Sequence, residues 1–237
     1  ESSFDAWIKY YRPDEDSINS QQSYYSGGAL LALCMDAKLR NEGYSLDLLM
    51  QQIWSRYHSN PMPEDAIAHE LLQLTGRPWN EFLTRYVEHA NEPPMEEAFE
   101  LLGMWLSWRL SKSPQDLSGP VVGKNSPPVG WHHLGLELSA QNVVQKITQG
   151  SSAFTAGINV GDELIALNNY RINTSLTELQ HLLHPGQELK LLIARDACIQ
   201  NKIMLIQPLA LDTACLLSHA SAHAEQLAHK QQWLASL

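Results

Sequence analysis

At Gly103 the hydrophobic pattern of this chain of 237 residues changes period, and that change restricts the fold more than any other feature. Before it, in "LDLLMQQIWSRYH", Leu46, Leu49, Met50, Ile53, Trp54 and Tyr57 recur every three or four residues, the repeat of a helix with a buried stripe. After it, "MWLSWRL" alternates Met104, Leu106, Trp108 and Leu110 with more polar neighbours, the repeat of a strand. A helical region therefore precedes a β-rich one.

The helical part, residues 1–102, reads as five short helices. Ala29–Leu39 puts Leu30, Leu31, Leu33, Cys34 and Ala37 broadly on one side, and Gly43 stops it. Ser45 is placed to cap the next helix. "PEDAIAHELLQLTG", "PWNEFLTRYVEHA" and "PPMEEAFELLG" each open on Pro and acids, and Gly76 and Gly103 close the first and last of them.

Beyond Gly103, residues 103–210 read as a compact β module. Its 111–130 stretch, "SKSPQDLSGPVVGKNSPPVG", is rich in Pro, Gly and Ser and predicts a long loop. The strand-like pieces are "HLGLELS", "NVVQKIT", "ELIALNN", "ELKLLIAR" and "KIMLIQP", with one helix, "SLTELQHLLH", among them. Residues 211–237 are rich in Ala, His and Gln and predict a helical tail.

Charge narrows the partners. Sixteen Lys plus Arg against 26 Asp plus Glu leave a net charge of −10, which argues against nucleic acid, whose binding rests on neutralising phosphates. No apolar run approaches the about 18 residues that span a bilayer. Cys34, Cys198 and Cys215 are widely spaced and form no CxxC pair. That predicts a reducing, cytoplasmic setting, with a cysteine-poor periplasmic protein looking the same. The start, "ESSFDAWIKYYRPDED", has neither Met nor a signal layout, which suits a cut from something longer.

A search for chemistry finds no complete site. "HELLQ" starts like the HExxH zinc signature, but Gln73 stands where the second His belongs, so His69 reads as a helix surface residue. His132 and His133, adjacent on an expected strand, should point to opposite faces. His219 and His223 share a face of the expected tail helix, with no acid motif near. Metal ligands and cofactors are thus expected to be none in this chain.

Two resemblances reach further. "HLGL", then "SSAFTAGINVGDELIALNN", then a helix ending in "HPGQ" resembles a PDZ domain of the bacterial protease-associated type. The resemblance implies a PDZ-like β-barrel or sandwich with inserted helices. It also implies a groove between the strand from Leu134 and the helix from Ser175. There a peptide adds as a strand and its terminal carboxylate meets the N–H groups near Leu134, Gly135 and Leu136. Ser175, Leu179 and Leu182 are the expected groove residues on the helix. The spacing of Leu179 and Leu182 suits domain core equally well, and Gly135 suits a simple turn.

The stretch "SSFDAWIKYYRPDEDSINSQQSYYSGGALLALCMDAKLR" resembles the glycyl aminopeptidase family of zinc metallopeptidases, which carries a C-terminal PDZ domain. The family's Tyr-Tyr-x-Lys-Gly-Ala-Leu segment has its counterpart in Tyr24, Tyr25, Ser26, Gly27, Gly28, Ala29 and Leu30, followed by Asp36 and Leu39–Arg40. The resemblance implies the C-terminal portion of a zinc aminopeptidase, inactive by itself because the zinc site lies upstream. Tyr25 becomes the oxyanion donor of the intact enzyme. Gly28 matches the glycine after the motif, and Gly27 stands where the family has Lys. The expected partners are peptide or protein C-termini, or the upstream catalytic domain. The alternative is a non-catalytic PDZ interaction protein with a degenerate peptidase region.

Overall fold

A computed structural model describes residues 6–21, 23–89, 91–120, 129–172 and 176–235. The chain divides into two compact units, each made of two stretches: 1–22 with 108–215, and 23–107 with 216–237.

The helical unit contains α3 (Tyr24–Asn41), α4 (Leu46–Tyr57), α5 (Ala66–Thr75), α6 (Asn80–Leu83), a π-helical turn Thr84–Glu88 and α7 (Met95–Leu101); α1 (Ala6–Tyr10) and α2 (Ser17–Ser20) belong to the other unit. The caps follow the sequence. Ser45 Oγ accepts from the Leu48 N–H at 3.2 Å, and Gly76, left-handed at φ 70°, ends α5. Cys34, Ala37, Leu39, Leu49, Leu71, Trp79, Phe82, Phe99 and Leu102 form its core. The α4 stripe is narrower than expected. Leu49 is buried and Leu46 and Ile53 pack beside it, whereas Met50 and Trp54 are exposed. Positions 46, 49 and 53 form one face of the helix; 50 and 54 lie just round from it.

The β-rich unit runs through a 3-10 turn Trp131–Leu134, β2 (Leu136–Leu138), β3 (Val144–Ile147), α8 (Ser152–Thr155), β4 (Glu163–Leu167), β5 (Tyr170–Arg171), a 3-10 helix Leu176–Leu182, β6 (Glu188–Arg195) and β7 (Cys198–Leu205). β2 pairs antiparallel with β3, setting Leu136 opposite Ile147. β5-β4-β6-β7 form a second antiparallel sheet. Among the described residues the strands do not close into a barrel. Leu134, Leu136, Val144, Leu164, Leu167, Leu183, Leu189, Leu191, Ile193 and Met204 make one core.

β1 (Met104–Arg109) forms a two-stranded sheet with β8 (Thr213–Ser218), and α9 (Ala224–Ala235) follows. The tail therefore opens with a six-residue strand before its helix, where helix was expected over 211–237. Its β-branched and apolar residues, "TACLLS", find a partner strand about a hundred positions earlier, which local propensity does not register. His219 falls after β8 and His223 just before α9, so they share no helical face.

Candidate functional site

Helix α3 starts at Tyr24 with Ser23 as its cap, Ser23 Oγ accepting from the Ser26 N–H at 3.3 Å. The glycine pair thus lies inside the first turns, where the sequence had placed it ahead of the helix. Tyr25 is 60% exposed, and its ring lies 4.2 Å from that of Tyr24, tilted by 31°. Apart from its chain neighbours and the helix's own backbone, nothing lies within 4 Å of where a Cβ would stand on Gly27 or Gly28. Nothing in the described fold needs either glycine, so the helix presents bare backbone beside an exposed phenol.

Asp36 and Arg40 have structural work. Arg40 Nε donates to Asp36 Oδ2 at 2.8 Å, and the Leu46 N–H donates to Asp36 Oδ1 at 2.8 Å. Both side chains are buried, so the pair ties α3 to the first turn of α4. His69 joins a group around Glu70, which is buried and accepts from Gln52 at 2.6 Å, Arg56 at 2.7 Å and Tyr57 at 3.2 Å. Burial pushes the Glu70 carboxyl up, but the bonds from Gln52, His69 and Tyr57 and the charge of Arg56 outweigh it and hold it below its ordinary value.

In the β-rich unit Gly135 is left-handed, φ 81°. A Cβ there would collide with the side chain of Ser151. Its N–H donates to the His132 carbonyl at 3.0 Å, and its carbonyl accepts from Thr148 at 3.0 Å. Leu134 and Leu136 are buried, and Leu179 and Leu182 pack half-buried against the same core. Ser175 lies outside the described residues. The Gly161–Asp162 pair explains itself: Asp162, buried, takes Arg195 Nε at 2.7 Å and Nη2 at 2.8 Å and the Asn159 N–H at 2.8 Å.

Sequence reasoning missed one cluster. Ser111 Oγ donates to Asp212 Oδ2 at 2.7 Å, and His133 Nε2 lies 3.2 Å from that Oγ and 3.1 Å from the Ser111 carbonyl. Ser, His and Asp together invite comparison with a nucleophilic triad, but the bonding runs the wrong way. The Gly130 N–H donates to His133 Nδ1 at 2.9 Å, so in the neutral ring Nε2 carries the proton and cannot take one from serine. Ser111 is buried and its hydroxyl is spent on Asp212. The cluster instead fastens the 3-10 turn to residues 111 and 212. His132 and His133 lie in that turn, not on a strand, with ring centroids 4.0 Å apart. Burial, then the neighbouring His133, lowers the pKa of His132. A cavity of about 340 Å³ adjoins the cluster, between Ser113, Gly135 and Glu137. The only signal in the sequence was the histidine pair itself.

Among the described residues, no three His, Cys, Asp or Glu side chains are placed to hold a metal ion. No helix is long and apolar enough to cross a membrane among the residues described.

Comparison with known proteins bears on residues 1–31, which match the M61 glycyl aminopeptidase family. No curated protein matches the chain. Its fold matches the crystal structure of an aminopeptidase N family protein from Idiomarina loihiensis, with a TM-score of 0.80 and 23% identity, over 99% of this chain and 40% of that one. The chain therefore spans well under half the length of that structure. The serine endoprotease from Yersinia pestis aligns over 32% of this chain and 29% of its own at 22% identity, with a TM-score of 0.28, too low to carry an argument. The match over residues 1–31 and the fold shared over nearly the whole chain bear out the resemblance to the glycyl aminopeptidase family.

Proposed function

We propose that the chain is the C-terminal portion of a zinc-dependent aminopeptidase-like metallopeptidase, with its β-rich unit serving as a PDZ-like module that binds peptide or protein C-termini or the enzyme's own catalytic part. The observation that carries this reading is the family match, which runs through Tyr25 into α3, where that phenol is exposed beside bare helix backbone. The described residues do not fit a zinc site, so in this reading the metal's ligands lie outside them. What the chain contributes is a donor. A phenol O–H aimed at a carbonyl oxygen stabilises charge that develops only in the transition state. The acidic charge fits a protein without a nucleic-acid partner, and the free Cys34, Cys198 and Cys215 fit a reducing, cytoplasmic setting.

The reading is tested in the gene. The coding sequence ahead of Glu1 should encode HExxH and a later Glu ligand; an upstream region without them overturns it. The second reading, a non-catalytic interaction protein, is favoured by Gly27 standing where the family has Lys. It expects C-terminal peptides to shift the amide resonances of Leu134, Gly135 and Leu136, and silence at millimolar peptide would sink it.

A further inference from the structure

A cavity of about 410 Å³ lies in the helical unit, between α3, α7 and the segment that runs from Arg77 through α6 into the π-helical turn. Its floor is aromatic. Trp79 and Phe82 are buried and meet at 5.5 Å, nearly edge to face. The Lys38 ammonium sits 5.1 Å from the Trp79 ring and 5.4 Å from that of Phe82, so its position is set by the ring faces.

Around this floor, charges of both signs line the cavity; Arg77 and Glu42 pair at 3.9 Å, and four others do not close on one another. Among the described residues, Lys38 and Arg85 have no carboxylate within 4.0 Å, and Glu81 and Glu97 have no cation. Arg85 comes from the π-helical turn, an irregularity that resets the side chains following it and recurs at functional sites. The one nucleophile on the wall is disarmed. The Cys34 thiol is pushed up to about 11 by burial and then by the charge of Glu97, and it lies 3.4 Å from the Met95 sulfur. The cavity is built to bind rather than to react.

We propose that it binds a zwitterion of amino-acid or dipeptide size. The ligand's carboxylate goes to Lys38 and Arg85, its ammonium to Glu81 and Glu97, and its apolar part to the aromatic floor. A ligand carrying one charge alone satisfies half of the wall and leaves the other half hydrated. The volume falls within the range of small-molecule sites. Binding at this cavity is independent of the peptidase reading, because it requires no hydrolysis. A free amino acid, itself a zwitterion, is nonetheless what an aminopeptidase releases.

The test is a titration of the chain with glycylphenylalanine, its N-acetyl derivative and its C-terminal amide, followed at the Trp79 indole N–H resonance. The free dipeptide should shift that resonance saturably, and each blocked form should bind about tenfold more weakly, the loss of one charge-assisted pair. Lys38→Met should weaken the free dipeptide about tenfold and leave the amide unchanged. Glu97→Gln should weaken it while leaving the acetyl form unchanged. Both positions are exposed, and an unchanged amide spectrum confirms that each variant is folded. No saturable shift at tens of millimolar dipeptide, or equal binding of the blocked forms, overturns the proposal.

Discussion

Glu70 shows how much a single buried carboxylate can organise. Four neighbours bond or face it, and it is fully buried, so Glu70→Ala removes one acceptor and strands several donors. A loss of about 2–3 kcal/mol is expected in chemical denaturation. Gly135 is as demanding for a steric reason. Its left-handed backbone and the Ser151 side chain both exclude a Cβ, so Gly135→Ala should cost about 2 kcal/mol, read as a lower denaturation midpoint. Gly28 is the opposite case. A Cβ there meets nothing, and its φ is ordinary, so Gly28→Ala should stabilise α3 by up to about 1 kcal/mol. If its bare backbone serves substrate, the same change lowers peptidase activity in the intact enzyme while raising the melting temperature.

At the scale of elements, the turns record which local signals the sequence carried. Asn168 and Asn169 both have positive φ, 45° and 68°, and an Asn-Asn pair marks the β4–β5 hairpin turn by residue type alone. Asp196 and Ala197 make the β6–β7 turn at 49° and 64° with no such mark, because alanine is a poor occupant of that conformation. Ala197→Gly should therefore stabilise the protein by about 1 kcal/mol, seen as a raised thermal midpoint. The same contrast holds more widely. The helices of 23–102 were legible because caps, Pro starts and Gly stops are local. The Gly-Asp before β4 was legible as a motif, but its partner Arg195, 33 residues on, was not. The β1–β8 pairing and the Ser111–His133–Asp212 cluster join residues about a hundred positions apart, which no spacing rule anticipates. At Tyr25 the residues showed only an aromatic pair at a helix start; the proposed role comes from the resemblance.

For the whole molecule, each unit depends on a stretch of chain distant in sequence. Asn19 brings the first stretch to the β-rich unit: its Nδ2 donates to the Ile147 carbonyl at 2.9 Å, and its Oδ1 accepts from the Gln149 N–H at 2.7 Å. Acid should loosen both units. Glu70, Asp162 and Asp212 have depressed pKa values because hydrogen bonds and cations outweigh the burial that raises them. Their contribution is complete above the unfolded value of about 4 and is lost as pH falls through the folded values. His132, depressed by burial, adds a loss that begins below about 6.5. Denaturation midpoints should therefore fall in two stages on acidification. The proposed oxyanion role of Tyr25 is tested by the turnover number of the intact protein on an alanyl anilide, with Tyr25→Phe beside the parent. A fall of about 10²–10³ in kcat at an unchanged melting temperature is expected. An unchanged kcat would contradict that role.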